Sequence, residues 1–449
     1  MESTQTRPTT RFLNAHFRKA LILEEPDPSL DEKLRAQGIE PERIPKPDCY
    51  DVDFILERLR EGQHDLLYKR SKFIVDEAVL RASSNLAAVM LCCIGDDSVD
   101  KSACAQEGVL VINDPVSNGR SVVEMVLGEM ICLARRIFPA NDAGRQHLWT
   151  KNSTRRFELK NKTLSIIGLG NIGKQVAQVA DNFGMDVCFY DRSDVAREVG
   201  TTLGWTACTS IDDAFRSGDF VTVHVSAEDP QGHSNKGLLT YDHFRQLGAN
   251  RPESGPRCFI NAARGFLYDP SDLRRAIDEG HVRAAAIDVY PEEPGSAGDN
   301  WDNPYAELQD VITTPHIGAA TQEAQPRIAN HMATSTHMLN QTGMIRDTVY
   351  APGRTIGINA DPPCWGLTVV HSDVRGTKKA IDDTIYDAGI SNLQSNHCDF
   401  PDYGVAYDIN ALDEKLSDEA LNAIIERAAD LTGDPNAVRS IRQFRIETA

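Results

Sequence analysis

A six-residue segment with three glycines, at residues 168–173, constrains the fold of this chain more than any other feature. It reads GLGNIG and follows residues 164–167, an apolar run typical of a strand. Residues 174–180 after it have the apolar spacing of a helix. Glycines permit the tight turn and let backbone amides approach a phosphate, so this order predicts a dinucleotide-binding βαβ unit.

The residues after this unit favour NAD as the dinucleotide. A second apolar run, residues 187–190, ends at Asp191, 18 residues after Gly173 (191 − 173). A carboxylate at that position accepts hydrogen bonds from the ribose hydroxyls and repels a 2′-phosphate, which favours NAD over NADP. Arg192 is the next residue and is able to pair with such a phosphate, so NADP stays open as the alternative.

The order of the segments predicts an α/β fold with several domains. A chain of 449 residues is long enough for two or three domains, since about 100–200 residues form one. Strand-like and helix-like segments alternate from about residue 20 to residue 346, which predicts two Rossmann-like, doubly wound parallel sheets. The glycine segment begins only at residue 168, so an earlier α/β unit is expected to hold the substrate.

A different pattern follows residue 348. Prolines and glycines between residues 348 and 363 indicate a linker, and the elements after Gly366 have the order βαββαβ of a ferredoxin-like domain. The predicted boundaries are a flexible N-terminal tail at 1–17, a substrate-binding domain at 18–127 and 317–347, a NAD-binding domain at 128–316, a linker at 348–364 and a C-terminal domain at 365–449.

Three residues downstream of the glycine segment have the side chains for acid–base chemistry on a carboxylate substrate. Arg264 closes the strand at residues 258–263, and its guanidinium can grip a carboxylate with two parallel hydrogen bonds. His316 ends the strand that begins at residue 311 and can exchange a proton with a substrate hydroxyl. Glu293 would bind the other ring nitrogen and stabilise the imidazolium, with its neighbour Glu292 as the alternative.

These segments together resemble the D-isomer-specific 2-hydroxyacid dehydrogenases, over nearly the whole chain. The matching residues are 168–173, 261–265, 288–294 and 314–321, and the C-terminal βαββαβ unit is similar to the ACT regulatory domains of some members. The resemblance implies that Arg264 binds substrate in catalysis and that Glu293 and His316 form the acid–base pair. It implies cofactor contacts by Gly168, Gly170, Asn171, Ile172, Gly173, Asp191, Ala262, Arg264, Asp288 and His316.

The resemblance also implies a phosphorylated 2-hydroxy acid as substrate. Arg70, Ser71 and Lys72 lie where the family has its first-domain substrate loop, and two cations beside a hydroxyl suit a phosphate and a carboxylate. The alternative is a solvated basic patch, since Lys69 continues the run. The implied substrate-binding residues are Arg70, Ser71, Lys72, Ile94, Gly95, Asn118, Arg264 and His316, with Trp149 and Lys151 from a neighbouring subunit.

Other classes of function fit the chain less well. A net charge of −19 and a pI near 5.1 argue against nucleic acid or an anionic membrane as partner. The longest apolar run, residues 86–94, is about half of a membrane-spanning helix, and the polar N-terminus lacks the apolar core of a secretory signal, so a cytoplasmic enzyme is expected. Ten cysteines without a CxxC pair indicate neither a zinc site nor a disulfide framework, so no metal is expected.

Several alternatives stay open at this level. A dehydrogenase for 2-hydroxyglutarate, hydroxypyruvate or glyoxylate would share every catalytic residue, and a few relatives of this fold are NAD-sensing corepressors. Members inhibited by serine often have a His-Glu-Asn-x-Pro-Gly turn, where this chain has HSDVRG at residues 371–376. The C-terminal domain is therefore expected to bind an amino-acid effector or to serve dimerisation, and a homodimer or homotetramer is expected.

Overall fold

The computed structural model describes residues 10–229, 233–294, 298, 300–359, 361 and 363–447. These residues divide into two compact units. Unit 1 combines the residues up to Ser117 with those from Gln325 onward, and unit 2 comprises Asn118–Ala324.

The N-terminal part of unit 1 forms a parallel sheet. This part of the chain contains the strands β1 (Arg11–Phe12), which lies outside that sheet, β2 (Lys19–Ile22), β3 (Glu40–Arg43), β4 (Leu66–Lys69), β5 (Ala88–Leu91) and β6 (Leu110–Asn113), and the helices α1 (Ser29–Arg35), α2 (Val52–Gly62), α3 (Glu77–Ala82) and α4 (Lys101–Gln106). Strands β2 to β6 lie in the order β3-β2-β4-β5-β6, all parallel. Every residue of β4 and β5 is buried, as expected for short apolar strands of a parallel sheet.

Unit 2 is a doubly wound parallel sheet. It contains α5 (Gly119–Arg135), α6 (Ile137–Arg145), β7 (Thr163–Ile167), α7 (Asn171–Asn182), β8 (Asp186–Tyr190), α8 (Asp194–Thr202), β9 (Thr206–Ala207), α9 (Ile211–Ser217), β10 (Phe220–Val223), α10 (Tyr241–Phe244), β11 (Cys258–Asn261), α11 (Pro270–Asp278), β12 (Ala284–Ile287) and β13 (Val311–Thr313). The strand order is β13-β12-β11-β10-β7-β8-β9. The order reverses at β7, where ligands bind in sheets of this kind.

The C-terminal part of unit 1 has the predicted βαββαβ order. After α12 (Ala324–Thr342) and the hairpin of β14 (Ile345–Arg346) and β15 (Thr355–Ile356) come β16 (Cys364–Ser372), α13 (Thr377–Asp387), β17 (Asn392–Phe400), β18 (Val405–Leu412), α14 (Asp418–Thr432) and β19 (Val438–Ile446). The last four strands form an antiparallel sheet in the order β19-β16-β18-β17. The predicted fold class is therefore confirmed in each of its three parts.

The N-terminal segment differs from the flexible tail predicted for residues 1–17. Residues 1–9 lie outside the described part, but β1 pairs in parallel with β19 at the edge of the C-terminal sheet. Arg11 is buried, and its guanidinium donates to the carbonyls of Leu80 and Ser83 and pairs with Glu107 at 3.2 Å. Because β1 and β19 lie near opposite ends of the chain, their pairing leaves no local pattern in the sequence from which it could be predicted.

The predicted linker at 348–364 also differs in part from the structure. Strand β15 lies within it and pairs antiparallel with β14, while residues 360 and 362 lie outside the described part. The C-terminal sheet belongs to unit 1 because buried polar groups join it to that unit. The buried guanidinium of Arg442 donates to the carbonyls of Ala15, Leu339 and Asn340, and the Tyr407 hydroxyl donates to the Gly343 carbonyl at 2.5 Å.

Two further findings concern the sequence-based exclusions. Among the described residues, no helix is long and apolar enough to cross a membrane. The ten cysteines all lie in the described part of the chain, where no disulfide joins them and most are buried.

Candidate active site

Each of the three glycines in residues 168–173 meets a different steric requirement. Gly168 has φ 92°, a left-handed conformation, and a Cβ there would lie 2.5 Å from the carbonyl oxygen of His224. A Cβ on Gly173 would lie 2.1 Å from the carbonyl oxygen of Gly168, so helix α7 packs directly on the turn. Gly170, which precedes α7, faces open space. Asn171 and Ile172 are the first residues of α7, and the first N–H groups of a helix have no partner within it and suit an anion.

Asp191 follows β8 and braces the glycine segment. Its carboxylate accepts hydrogen bonds from the backbone N–H of Leu169 at 2.7 Å and of Ser193 at 2.8 Å. Arg192, the residue able to pair with a 2′-phosphate, forms an ion pair with Asp229 at 2.7 Å. The open glycine turn, the helix N-terminus and a carboxylate at the second strand fit a dinucleotide with an unphosphorylated ribose.

A buried carboxylate after β12 holds the loop that carries His316. Asp288 accepts from the Thr314 hydroxyl at 2.7 Å and from the backbone N–H groups of Ile317 and Gly318, both at 2.8 Å. Burial raises the pKa of Asp288, and these three hydrogen bonds oppose the rise. Its observed bonds therefore position the loop, while the predicted cofactor contact of Asp288 stays a prediction.

His316 and Glu293 form a hydrogen-bonded pair at the end of β13. The Nδ1 of His316 lies 2.8 Å and 3.0 Å from the two carboxylate oxygens of Glu293. His316 has φ 54°, and its side chain is 48% exposed. A carboxylate only accepts hydrogen bonds, so Nδ1 carries the proton and Nε2 offers a lone pair. Glu292, the alternative, is exposed, and it is Glu293 that lies at the histidine.

Arg264 extends from a strand end with a tightly fixed backbone. The buried Asn261 side chain accepts from the N–H of Ala263 and donates to the carbonyl of Arg264, both at 2.9 Å. The next residue, Gly265, leaves no room for a Cβ, which would lie 2.0 Å from the Tyr290 carbonyl carbon. Arg264 and Ala262 are half-buried beside this turn.

In unit 1, the predicted substrate loop after β4 is organised by a buried acid. Glu24, at φ 64°, accepts hydrogen bonds from the backbone N–H groups of Arg70 and Lys72, both at 2.7 Å, and of Phe73 at 3.0 Å. These bonds hold the backbone of Arg70, Ser71 and Lys72 in one tight turn at the carboxyl edge of the sheet.

Lys69 is no part of a solvated basic patch. It is fully buried, and its ammonium donates to the Arg70 carbonyl at 2.8 Å and to the Ser98 hydroxyl at 2.5 Å. Desolvation lowers the pKa of Lys69. Lys69 is the last residue of the buried strand β4, whereas Ser71 and Lys72, which follow the strand, are exposed.

The other predicted substrate contacts lie in three different places. Ile94 and Gly95 follow β5, where the Asn113 side chain donates to the Ile94 carbonyl at 2.7 Å. In unit 2, Asn118 is buried at the start of α5, and its side-chain oxygen has no hydrogen-bond partner among the described residues. Trp149 is 90% exposed, and Lys151 is exposed nearby.

Two buried acids near the predicted residues were missed from the sequence. One is Glu24, described above, and the other is Glu129 on α5. Within the described structure neither carboxylate oxygen of Glu129 has a hydrogen-bond partner, and burial together with the charge of Asp288 raises the pKa of Glu129 to about 8. A glutamate inside the apolar stripe of α5, between Val126 and Met130, was the available signal.

Comparison with known proteins identifies the family. The model of the D-isomer specific 2-hydroxyacid dehydrogenase NAD binding domain matches residues 127–318. Curated relatives at 30% and 31% identity align with most of the chain and with most of their own length. The chain therefore belongs to the D-isomer-specific 2-hydroxyacid dehydrogenase family, and it is an NAD-dependent oxidoreductase.

Among these relatives are enzymes named for one substrate. The D-3-phosphoglycerate dehydrogenase of Escherichia coli K12 is 31% identical over 409 residues, which cover 90% of this chain and 94% of that protein. The D-3-phosphoglycerate dehydrogenase 2 of Saccharomyces cerevisiae is 30% identical over 429 residues, covering 88% and 86%. A solved glyoxylate reductase from Paecilomyes thermophila, 21% identical, covers 74% of this chain and 98% of its own with a TM-score of 0.62, a likeness in fold.

Two alanine substitutions should separate the roles of the glycines. Gly170→Ala puts a methyl group into open space, so it should leave the melting temperature unchanged but weaken NAD binding by about tenfold or more, ~1.4 kcal/mol. Gly173→Ala places a methyl group against a backbone oxygen and should destabilise the fold by about 1–3 kcal/mol, the usual cost of overpacking. Calorimetric titration with NAD and thermal unfolding measure the two effects, and unchanged NAD affinity in Gly170→Ala would contradict the assignment.

The pH dependence of stability should reveal the buried Glu129. Its pKa is about 8 in the folded chain and about 4.3 when unfolded, so between these values the folded state holds a proton that the unfolded state lacks. The wild type then loses stability as pH rises through this window, whereas Glu129→Gln does not titrate.

The stability of Glu129→Gln relative to wild type should rise by on the order of 2–4 kcal/mol between pH 5 and pH 8. Thermal unfolding across that range measures it. The exposed Glu124 of the same helix provides the control, because Glu124→Gln should give a curve parallel to wild type. A parallel curve for Glu129→Gln as well would show that Glu129 is ionised in the folded chain.

Proposed function

We propose that this chain oxidises D-3-phosphoglycerate to 3-phosphohydroxypyruvate with NAD, the first step of L-serine biosynthesis. The observation that carries the oxidoreductase chemistry is the 2.8 Å contact between His316 Nδ1 and Glu293. The substrate is the one for which the relatives in Escherichia coli and Saccharomyces cerevisiae are named. The basic loop with Arg70 and Lys72 supports a phosphorylated acid.

His316 and Glu293 act on the proton of the substrate hydroxyl. Because Glu293 fixes the proton on Nδ1, Nε2 of His316 is the base that takes the hydroxyl proton as the C–O bond gains double-bond character. The imidazolium that forms lies against the Glu293 carboxylate, which stabilises it. In the reverse direction the same nitrogen returns the proton to the carbonyl oxygen.

The remaining parts of the reaction fall to the cofactor and to Arg264. Bound NAD supplies the hydride acceptor, held by the glycine turn and by Asp191. Arg264 binds the carboxylate of the substrate with its planar fork, and the rigid turn of Asn261 and Gly265 limits the motion of its backbone. A fixed backbone at the substrate arginine orients the acid relative to the histidine on the same unit.

The proposal extends to the oligomeric state, the effector and the location of the protein. Trp149 and, within twelve residues before it in the chain, Ile137, Phe138 and Leu148 are exposed apolar side chains, which suit a subunit interface and support a homodimer or homotetramer. The exposed turn at residues 373–376 is where an amino-acid effector such as serine would bind, with the Asp373 carboxylate as acceptor for its amino group. A cytoplasmic location accords with such a metabolic enzyme.

A matched pair of substitutions tests the acid–base assignment. His316→Ala should lower kcat by at least about a hundredfold and leave the NAD dissociation constant nearly unchanged. Glu293→Gln should lower kcat by at least about tenfold, because an amide cannot stabilise the imidazolium. The exposed neighbour serves as control, so Glu292→Gln should change kcat less than about twofold. Equal effects of the two glutamine variants would contradict the role of Glu293.

A second pair tests the phosphate contact. Arg70→Met should lower kcat/KM for D-3-phosphoglycerate by about 10–100-fold, the scale of about 1.5–3 kcal/mol for a charged hydrogen bond. The same variant should leave kcat/KM for D-glycerate nearly unchanged, since that acid lacks the phosphate. Arg60→Met, at an exposed arginine of α2, controls for the loss of a positive charge. Equal losses for both substrates would remove Arg70 from phosphate recognition.

The direct assay is the initial rate of NADH formation with each candidate acid. We expect the highest kcat/KM with D-3-phosphoglycerate, compared with D-2-hydroxyglutarate and D-glycerate, and hydroxypyruvate and glyoxylate are tested with NADH in the reverse direction. A higher kcat/KM for an unphosphorylated acid would overturn the substrate, and no turnover of any acid would favour an NAD-sensing protein. Added serine tests the effector in the same cuvette.

A further inference from the structure

A second cluster of histidine and carboxylate side chains lies in the C-terminal sheet, outside the candidate active site. The His-His-Asp cluster consists of His371 on β16, His397 on β17 and Asp408 on β18. His397 and Asp408 are directly paired across the antiparallel strands, and His371 pairs with Ala406, two residues before Asp408. Three adjacent strands therefore bring these side chains to one point of the sheet.

The cluster has the dimensions of a first-row metal site. His371 Nε2 lies 3.3 Å and His397 Nδ1 lies 3.0 Å from the same oxygen, Oδ2 of Asp408, and the possible ligand atoms of the cluster all lie within 4.8 Å of one another. Ligand atoms about 2.0–2.1 Å from a tetrahedral Zn²⁺ are about 3.3–3.4 Å apart. The two histidine-to-aspartate distances are close to that spacing.

The hydrogen bonds behind the two histidines also fit metal ligands. Nδ1 of His371 lies 2.7 Å from the carbonyl oxygen of Ser372, which only accepts, so Nδ1 carries a proton and Nε2 is the nitrogen that faces Asp408, where a metal ion would replace the shared proton. Nε2 of His397 lies 2.8 Å from Oδ1 of Asp399, so Nδ1 of that ring faces Asp408 and would exchange its proton for the metal ion. A metal-binding histidine typically donates its second N–H to a carbonyl or carboxylate, and both rings have such an acceptor.

Burial and charge determine how a cation would enter. His371 and Asp408 are buried, whereas the side chain of His397 is 32% exposed and leaves one side of the cluster accessible. Lys378 of α13 lies 3.4 Å from the other oxygen of Asp408, Oδ1, and also pairs with Asp382. The lysine leaves Oδ2 as the coordinating oxygen, and its positive charge lowers the affinity for a cation.

We propose that the His-His-Asp cluster is a binding site for a divalent transition-metal ion of the Zn²⁺ class. Nε2 of His371, Nδ1 of His397 and Oδ2 of Asp408 are the protein ligands, and water takes the accessible fourth position. The ion would join β16, β17 and β18 and so stabilise the C-terminal sheet. This proposal is independent of the function assigned to unit 2.

Titration of the full-length, tag-free chain with Co²⁺ tests the proposal, because Co²⁺ reports its ligands in its spectrum. We expect one Co²⁺ per chain with the visible bands of a tetrahedral site and without the near-ultraviolet charge-transfer band of a thiolate ligand, which excludes the ten cysteines. Zn²⁺ should displace the Co²⁺ and raise the melting temperature of the protein.

Four variants locate the ion. His397→Ala removes a half-exposed ligand and should weaken Co²⁺ binding by more than the about 10–100-fold expected for Asp399→Asn, which removes only the negative charge of the acceptor behind that ligand. Lys378→Met removes the competing charge and should tighten binding severalfold. His337→Ala, at an exposed histidine of α12, is the control and should bind as the wild type does.

Circular dichroism confirms that each variant is folded before its affinity is compared. Absence of Co²⁺ binding by the wild type would overturn the proposal and leave a hydrogen-bonded imidazole–carboxylate cluster. Equal affinities of the wild type and His397→Ala, or a thiolate band in the spectrum, would overturn it too, because the ion would then be elsewhere.

Discussion

The carboxylate of Asp288 is the interaction on which the candidate active site depends. It binds the Thr314 hydroxyl and the backbone N–H groups of Ile317 and Gly318, on both sides of His316. These bonds keep His316 in its left-handed conformation, with Nδ1 at Glu293. Burying this charge costs free energy, as the raised pKa of Asp288 indicates, and the nearby Glu129 adds to the cost unless it stays protonated. The placement of one imidazole is thus maintained against an electrostatic penalty.

A second buried carboxylate holds a loop in the same way in unit 1, where Glu24 accepts hydrogen bonds from the backbone N–H groups of the loop with Arg70 and Lys72. In both units a buried acid at the carboxyl edge of a parallel sheet organises an exposed loop through its amides. The side chains of that loop are then available for ligands, because main-chain contacts hold the loop in position. Predicted binding residues lie in the loops after β4, β5, β7, β11 and β13, at the carboxyl edges of the two parallel sheets.

The two faces of the C-terminal sheet pack against different parts of unit 1. Apolar residues such as Leu367 and Val369 pack under α13 and α14, while Tyr407 and Phe444 belong to the core of unit 1 on the other side. The His-His-Asp cluster lies at the end of the helix-covered face, where Lys378 reaches it. A sheet covered on both faces stabilises the domain mainly by apolar burial, and the proposed metal ion would add a link across three strands.

The sequence by itself determined the local patterns: the glycine turn before α7, the strands with their helices, the βαββαβ order, and Arg264 and His316 as candidate catalytic residues with a glutamate at 293 or 292. These follow from short-range periodicity and from the resemblance of contiguous motifs. Only the tertiary structure decided that Glu293 rather than Glu292 faces the histidine, that Lys69 is buried, that β1 joins β19, and that His371, His397 and Asp408 meet. Those contacts join residues far apart in the chain, and the spacing of cysteines that argued against a metal could not show a cluster contributed by three strands.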